Sequence, residues 1–277
     1  MNSLTVLYTY QCNYNCPFCV LGNKINYIKD NKLWSKETKE KCFNYILENN
    51  IKYLSIMGGE PLIYPNECIN IINFCKENNI KVSIATNVSL LTVDLVDFFN
   101  NNNIYIMFSL NYYGYKSIDY LLRKSKSKNI INLIKLLKYK SIRTIYNKDF
   151  SLSLEASILH QMFNCGVEFS LDFTKLKEID HNELDYLENE INKLRKYNSD
   201  ISWFGLAPMG NQYDNGTVTI YPDGTIVEDK HRNNYDCIYY GHPRLYKDMS
   251  PEIYNRYMCI SNSLLPRNNN FNSCIYS

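Results

Sequence analysis

The sequence lacks the features that would link the protein to nucleic acid or to a membrane. Its formal net charge is only +2, so no strong global field attracts a polyanion. It contains no apolar run long enough to span a bilayer, and its N-terminus has no basic region followed by a long apolar stretch. We therefore expect a cytoplasmic protein whose partners include neither nucleic acid nor a membrane.

Histidine is scarce, whereas cysteine is plentiful. The four histidines show no spacing typical of metal ligands, and we assign them no role. The ten cysteines occur in a chain without a secretion signal. This number indicates a reducing compartment, in which cysteines serve as metal ligands or core residues rather than as disulfides.

Three cysteines are crowded into one short loop after the first strand-like run. Cys12, Cys16 and Cys19 follow residues 4–10 with the spacing Cys-x3-Cys-x2-Cys, and the loop has no fourth Cys or His. A closed structural zinc site uses four protein ligands, so three thiols indicate a site with an open position. An iron–sulfur cluster held by three thiolates likewise leaves one iron free. The alternatives are buried apolar cysteines and a zinc site completed from a distant part of the chain.

Strand-like and helix-like segments alternate along residues 1–199. The predicted strands are residues 4–10, 52–57, 80–86, 104–110, 141–146 and 167–173. Amphipathic helical segments follow them, such as residues 35–49 and 65–77. Six strand–helix units in succession indicate a parallel sheet with right-handed crossovers. The predicted fold class is therefore α/β, a partial (β/α)6 TIM-like barrel.

The alternation stops after residue 199, and residues 200–277 are predicted to form a small C-terminal appendage. Residues 216–228 predict a β-hairpin that turns at Pro222-Asp223-Gly224. A short helix is predicted near residues 251–258. The chain would thus have a core domain, residues 1–199, and an appendage that contains a hairpin.

A short glycine motif, Gly58-Gly59-Glu60-Pro61, follows the end of the second strand. In parallel α/β folds the carboxyl ends of the strands share one rim, where functional sites lie, so this motif and the cysteine loop are expected on the same rim. The glycines would let the backbone approach a ligand closely, and Glu60 would accept a hydrogen bond from an ammonium group. An ordinary glycine turn with a surface Glu is the alternative for residues 58–61.

The cysteine loop and the glycine motif together resemble the signature of the radical S-adenosylmethionine (SAM) enzymes. The resemblance implies that Cys12, Cys16 and Cys19 bind a [4Fe–4S] cluster whose free iron takes the amino and carboxylate groups of SAM. The reduced cluster would cleave SAM to methionine and a 5′-deoxyadenosyl radical, which removes a hydrogen atom from a substrate. The electron would come from a donor such as a flavodoxin or ferredoxin.

The resemblance also implies which residues contact SAM. Gly58, Gly59 and Glu60 would line the amino end of its methionine part, and Phe18 would pack near its adenine. The other matched positions lie on later strands.

The later motifs match the family with some departures. Thr86-Asn87 is similar to the family's Thr-Asn turn, although Val88 replaces the frequent Gly. Ser109-Leu110-Asn111 is similar to Ser-Leu-Asp, with Asn111 in place of Asp, so a charge is lost near the ribose. Arg143 in the fifth strand is either a ligand of the SAM carboxylate or one half of a surface ion pair.

The C-terminal region resembles, in part, the auxiliary-cluster domains of the SPASM and twitch type. In those relatives a similar hairpin leads to a cysteine, whereas Glu228 or Asp229 stands there in this chain. Cys237, Cys259 and Cys274 either hold a second iron–sulfur cluster or are plain thiols. The remaining cysteines are predicted to pack in the core: Cys42, Cys68, Cys75 and Cys165.

The resemblance implies an enzyme that matures a ribosomally synthesised peptide. The run from Ser109 to Arg123 and the hairpin-bearing appendage resemble peptide-maturing members, so we expect a peptide substrate that is cross-linked or epimerised. The basic residues within 116–148 form a solvated helix face or a docking patch for an acidic peptide. The alternatives are a small-molecule radical SAM enzyme, an activase of a glycyl-radical enzyme, and a non-catalytic metal-binding structural or sensor module.

Overall fold

The computed structural model describes most of the chain, and the structural statements below refer to these residues. They are residues 3–16, 18–19, 33–110, 118, 121–122, 124–172, 175, 178–197, 204–206, 217–229 and 250–263. The strands are β1 (Ser3–Leu7), β2 (Tyr53–Met57), β3 (Lys81–Thr86), β4 (Tyr105–Leu110), β5 (Lys140–Ile145), β6 (Gly166–Ser170), β7 (Phe204–Leu206), β8 (Thr217–Ile220) and β9 (Ile226–Asp229). The helices are α1 (Lys36–Glu48), α2 (Pro65–Glu77), α3 (Val93–Asn101), α4 (Ile130–Leu136), α5 (Leu152–Phe163), α6 (His181–Tyr197) and α7 (Pro251–Ser263).

The strands form one sheet with the order β7-β6-β5-β4-β3-β2-β1-β8-β9. Strands β1 to β6 stand side by side in chain order and are parallel, because a helical crossover returns the chain to the same edge before each new strand. In the described part of the chain the sheet is open, with β7 and β9 at its ends. The predicted α/β partial barrel is confirmed as an open, mostly parallel sheet with helices.

The predicted C-terminal hairpin is present and extends the same sheet. Strand β8 runs parallel to β1, with Val218 opposite Leu4, and β9 pairs antiparallel to β8. The Gly224 N–H donates to the carbonyl of Tyr221 at 2.9 Å, and Gly224 has a φ of +84°, which glycine adopts readily. Strand β7, which the sequence did not indicate, pairs with β6 at the other end. Residues 200–277 therefore supply strands to both edges, while the domain division at residue 199 stays a prediction.

The described helices pack against one face of the sheet, where the main apolar core lies. On that face the ring of Phe108 in β4 contacts Phe163 of α5 edge-on, with centroids 5.3 Å apart. Alternate strand residues point to the opposite face, which we call the inner face. It carries partly buried hydroxyl side chains, among them Thr5, Ser55 and Ser83. None of the described helices is long and apolar enough to cross a membrane.

Helices α1, α2 and α3 end in the same tripeptide, Asn-Asn-Ile. The three copies are Asn49-Asn50-Ile51, Asn78-Asn79-Ile80 and Asn102-Asn103-Ile104. In each copy the amide of the first Asn donates to the carbonyl four residues earlier at 2.8–2.9 Å, and the second Asn has a φ of +49° to +55°. The buried Ile then donates its N–H back to the last turn of the helix. Asparagine thus takes the left-handed position that glycine usually fills at a helix end.

Replacing Asn79 with Gly is expected to raise the free energy of unfolding by about 0.5 kcal/mol, because Gly adopts the positive φ without steric cost. Replacing Asn79 with Ala should lower it by about 1 kcal/mol for the converse reason. Urea denaturation at equal m-values measures both changes. The control is Asn78→Gly, at a negative φ of −103°, which should only lose stability. A stabilising Asn78→Gly variant would contradict this account.

Candidate active site

The cysteine loop leaves the sheet at the carboxyl end of β1 and returns to the same place. The Trp34 N–H donates to the carbonyl of Tyr8 at 2.9 Å, and Thr9 and Leu33 form an antiparallel bridge. The two ends of the loop are therefore held together at its base. Residue 17 and residues 20–32 of the loop lie outside the described part of the chain.

The three cysteines of this loop are partly buried and influence one another electrostatically. The Cys19 N–H donates to the carbonyl of Cys16 at 3.1 Å, and the Tyr14 N–H donates to Cys12 Sγ at 3.4 Å. Burial raises the pKa of Cys12 to about 11 and that of Cys16 to about 12. The nearby Cys19 thiol raises both pKa values further, by a smaller amount. The three sulfur atoms therefore belong to one local environment.

The donor set of this loop suits a polynuclear cluster. In a [4Fe–4S] cluster each thiolate binds a different iron, so three thiols leave one iron open. Three neighbouring thiols on one loop therefore fit a [4Fe–4S] cluster with an open iron, and metal binding would displace the thiol protons that burial favours.

Gly58 and Gly59 bring the chain after β2 into direct contact with the backbone that leads into the cysteine loop. A Cβ atom on Gly58 would lie 2.5 Å from the Thr9 carbonyl oxygen, and one on Gly59 would lie 2.4 Å from that of Gln11. The Gly59 N–H donates to the Thr9 carbonyl at 2.9 Å across this gap. The glycines are thus required by the approach of two chain segments, and they fix the backbone just before Cys12.

Glu60 is buried, and its carboxylate accepts three hydrogen bonds from the protein. The donors are the Leu62 N–H at 2.9 Å, the Thr86 hydroxyl at 2.6 Å and the Asn87 N–H at 2.6 Å. Its own N–H donates to the carbonyl of Gln11 at 2.8 Å. Burial raises the pKa of Glu60, and the three donors act in the opposite direction. Glu60 therefore joins the ends of β1, β2 and β3, while its contact with the SAM ammonium group stays a prediction.

Replacing Glu60 with Ala is expected to lower the free energy of unfolding by about 3 kcal/mol, because it leaves buried donors without an acceptor. Chemical denaturation measures the loss. Glu40→Ala is the control, since the Glu40 carboxylate is exposed and pairs with Lys36 at 3.7 Å within α1. Its loss should be about 1 kcal/mol or less. Equal losses in the two variants would argue against a joining role for Glu60.

Asn13, which lies between the first two cysteines, is held by the loop after β3. Its side-chain amide donates to Ser89 Oγ at 2.8 Å and its side-chain oxygen accepts from Asn87 at 2.9 Å. Val88 has a φ of +54°, which is costly for a β-branched residue. The predicted Thr86-Asn87 turn thus contacts the cysteine loop itself. Sequence reasoning missed Asn13 and Ser89, and the only signal was the position of Asn13 within the cysteine spacing.

The other predicted SAM-binding residues lie in the cysteine loop, on the inner face, or outside the described part of the chain. Phe18 is buried within the cysteine loop. Ser109 lies on the inner face near the carboxyl end of β4, opposite Arg143 of β5. The Arg143 guanidinium forms an ion pair with Glu168 at 2.8 Å. Asn111 lies outside the described residues, and the roles of all four predicted residues towards SAM stay predictions.

The cysteines outside the loop divide into two groups. Cys259 is exposed on α7, whereas Cys237 and Cys274 lie outside the described residues, so a second cluster stays a prediction. The prediction of core cysteines is confirmed by the burial of Cys42, Cys68, Cys75 and Cys165.

Three curated proteins match parts of the chain. An uncharacterised protein, MJ0907, of Methanocaldococcus jannaschii is 32% identical over 35% of this chain. The 7-carboxy-7-deazaguanine synthase of Clostridium acetobutylicum is 27% identical over 53%, and the GTP 3′,8-cyclase of Campylobacter jejuni is 23% identical over 68%. The matches span 34%, 66% and 57% of these three relatives, so the chain corresponds to only part of each.

Several solved structures share the fold. Streptococcus suis SuiB bound to precursor peptide SuiA aligns with a TM-score of 0.63 and 16% identity, over 95% of this chain and 70% of that one. The structure of anSMEcpe with bound AdoMet aligns with a TM-score of 0.63 and 15% identity, over 94% and 83%. At these identities the likeness shows the fold alone.

The family assignment rests on a model that matches the cysteine loop, the glycine motif and the strands that carry them. The model for the radical SAM superfamily matches residues 6–152, from β1 to the start of α5. The chain therefore belongs to the radical SAM superfamily, whose enzymes use a [4Fe–4S] cluster and SAM.

Proposed function

We propose that this radical SAM enzyme modifies a ribosomally synthesised peptide by removing a hydrogen atom from one of its carbons. The bound cluster and SAM supply the one-electron chemistry that makes this abstraction possible. The observation that carries the proposal is the row of hydroxyl side chains together with the paired charges of Arg143 and Glu168 on the inner face, beside the predicted SAM site. Apolar side chains, among them Leu7, Met57 and Val227, cluster on the same face. A peptide presents many amide groups and little net charge, so it complements such a surface.

The inner face presents hydroxyl groups in register across four strands. Thr219, Thr5, Ser55 and Ser83 are consecutive register partners on β8, β1, β2 and β3, and all are partly buried. Hydroxyl groups both donate and accept hydrogen bonds, so they match peptide carbonyl and N–H groups without requiring a charge.

A nucleoside triphosphate would need a surface with a different distribution of charge. Phosphate groups are usually bound by clustered cations or by backbone N–H groups at a helix N-terminus. On the inner face of the described strands, the cations are Lys81, at the opposite rim, and Arg143, whose charge Glu168 balances. This arrangement supports a peptide over a nucleotide such as the substrate named in the GTP 3′,8-cyclase relative.

The solved relatives add support for a peptide. SuiB was determined with a precursor peptide, and a further structure of anSMEcpe contains AdoMet and the Cp18Cys peptide, with a TM-score of 0.55 to this chain. In the proposed reaction the peptide carbon loses one hydrogen atom. Epimerisation returns a hydrogen atom from a thiol, whereas cross-linking releases one more electron and proton, the electron to an oxidised iron–sulfur or flavin acceptor. We propose a flavodoxin or ferredoxin as the initial electron donor.

To test this, the anaerobically reconstituted, reduced enzyme is incubated with SAM and with synthetic copies of any short peptides encoded beside its gene. We expect 5′-deoxyadenosine together with a peptide that is 2 Da lighter, for a cross-link, or that carries one D-residue at unchanged mass. The Cys12/Cys16/Cys19→Ala variant is the control and should give neither product.

Other outcomes would point to the alternatives. Deoxyadenosine without any change in the peptides would contradict a peptide substrate and favour a small molecule. A glycyl radical on a co-expressed partner enzyme, detected by electron paramagnetic resonance, would identify an activase instead.

A further inference from the structure

Arg143 and Glu168 form an ion pair on the inner face, on neighbouring strands β5 and β6. Arg143 Nη2 lies 2.8 Å and Arg143 Nε 3.2 Å from the same carboxylate oxygen, Glu168 Oε2. The two residues are register partners, and their side chains are 35% and 22% exposed. Opposite charges on adjacent strands are thus joined on the face that the described helices leave uncovered.

The pair lies beside the predicted SAM site, on the side away from the cysteine loop. Ser109, a predicted SAM contact, is the register partner of Arg143, and Gly205 of β7 is the register partner of Glu168. The row Ser109, Arg143, Glu168 and Gly205 therefore leads from the SAM site across the inner face. Gly205 has no side chain, so no side chain stands beside Glu168 at this register position of β7.

The hydrogen bonds within the pair leave one donor group and one acceptor atom for another molecule. Both bonds end on Glu168 Oε2, and the described residues give Glu168 Oε1 and Arg143 Nη1 no further partner. A phosphate or carboxylate would be attracted by Arg143 but repelled by Glu168, and an ammonium group would meet the converse problem. The side-chain amide of Asn or Gln fits both atoms, because its carbonyl accepts from Arg143 while the N–H on the same side of the group donates to Glu168. The C=O and N–H of a trans main-chain amide point in opposite directions and do not fit in this way.

We infer that Arg143 and Glu168 form a substrate-binding pair that holds one side-chain amide group of the peptide on the inner face. The inference rests on the proposed function and specifies how the peptide is held. Arg143 is thereby assigned to the substrate rather than to the SAM carboxylate. If the pair only stabilised the sheet, replacing either residue would leave the affinity for the peptide unchanged.

The test measures peptide conversion and peptide-independent SAM cleavage for the wild type, Glu168→Gln and Arg143→Lys, using the peptide that the wild type modifies. Glu168→Gln removes a charged acceptor, and Arg143→Lys keeps the charge but loses the planar fork of donors. We expect the KM for the peptide to rise about 10- to 100-fold in both variants, as for the loss of a charge-assisted hydrogen bond. Deoxyadenosine formation without peptide should stay within about twofold of the wild type.

Glu67→Gln is the matched control, since Glu67 also forms a 2.8 Å ion pair and is 18% exposed, but lies on a helix away from the inner face. Its KM should equal that of the wild type, and melting temperatures identify any misfolded variant. An unchanged KM in Glu168→Gln and Arg143→Lys would overturn the inference, as would an equal loss of peptide-independent SAM cleavage. If the wild type converts no peptide, the proposed function itself fails and the inference with it, which the wild-type assay alone reveals.

Discussion

Replacing Cys12, Cys16 and Cys19 together with Ala is expected to remove all iron from the N-terminal site and to abolish SAM cleavage. The wild type should hold about four irons and four sulfides per chain after anaerobic reconstitution, as one [4Fe–4S] cluster does. The loss should be complete because the loop supplies no other thiol or imidazole. Iron and sulfide analysis, with deoxyadenosine formation, measures the result.

The control replaces the buried cysteines Cys42, Cys68 and Cys75, which lie in α1 and α2, with Ala. These thiols pack in the core, so their removal should lower the free energy of unfolding by about 1 kcal/mol each and leave the iron content unchanged. Zinc in place of iron in the wild type would contradict a cluster at the loop. Eight irons that fall to four in the loop variant would indicate a second cluster, with Cys237, Cys259 and Cys274 as its candidate ligands.

The fold could be predicted where a local pattern determines it. Each strand from β1 to β6 is a short apolar run followed by an amphipathic helical segment, and parallel strands joined in this way cross over with one hand. That rule puts the cysteine loop and the Gly58-Gly59-Glu60 motif on the same rim before any coordinates are known, as the structure has them. The hairpin after residue 216 was equally predictable, since Pro222-Asp223-Gly224 determines its turn locally.

The remaining features depend on contacts between distant residues. The turn residues predict a hairpin but not its neighbour, and the pairing of β8 with β1 arises only when the sheet assembles. From the sequence, Arg143 was either a ligand of the SAM carboxylate or one half of a surface ion pair. Its register with Glu168 on the neighbouring strand was needed to place it on the inner face. The Asn-Asn-Ile helix ends were visible in the sequence, but asparagine is so frequent in this chain that they did not stand out.

Gly59 has a structural role that the sequence motif did not reveal, while its contact with SAM stays a prediction. The sequence assigns it to the surroundings of SAM, whereas the structure places a main-chain carbonyl oxygen of the cysteine loop 2.4 Å from where its Cβ would stand. Two further carbonyl-group atoms lie within 2.6 Å of the same point. Main-chain atoms cannot rotate away as a side chain can, so any larger residue at position 59 must displace the segment before Cys12.

Replacing Gly59 with Ala is therefore expected to impair the cluster site more than it impairs folding. Displacing the loop by about 1 Å should lower deoxyadenosine formation about 100-fold, because the open iron and SAM no longer meet in the reactive geometry. Iron per chain after reconstitution should fall as well. Deoxyadenosine assays on protein matched for iron content separate the two effects.

Gly224→Ala provides the comparison, because it also strains a glycine but lies in the hairpin turn. Gly224 has a φ of +84°, and its nearest neighbour would be the Thr38 hydroxyl, 3.3 Å from an added Cβ. This variant should lose about 1 kcal/mol of stability and keep both its iron and its SAM cleavage. If Gly59→Ala were no more impaired than Gly224→Ala at equal stability, the contact between the glycine motif and the cysteine loop would not control the site. A selective loss in Gly59→Ala would mean that the two motifs act as one unit, in which the glycines position the cysteine loop.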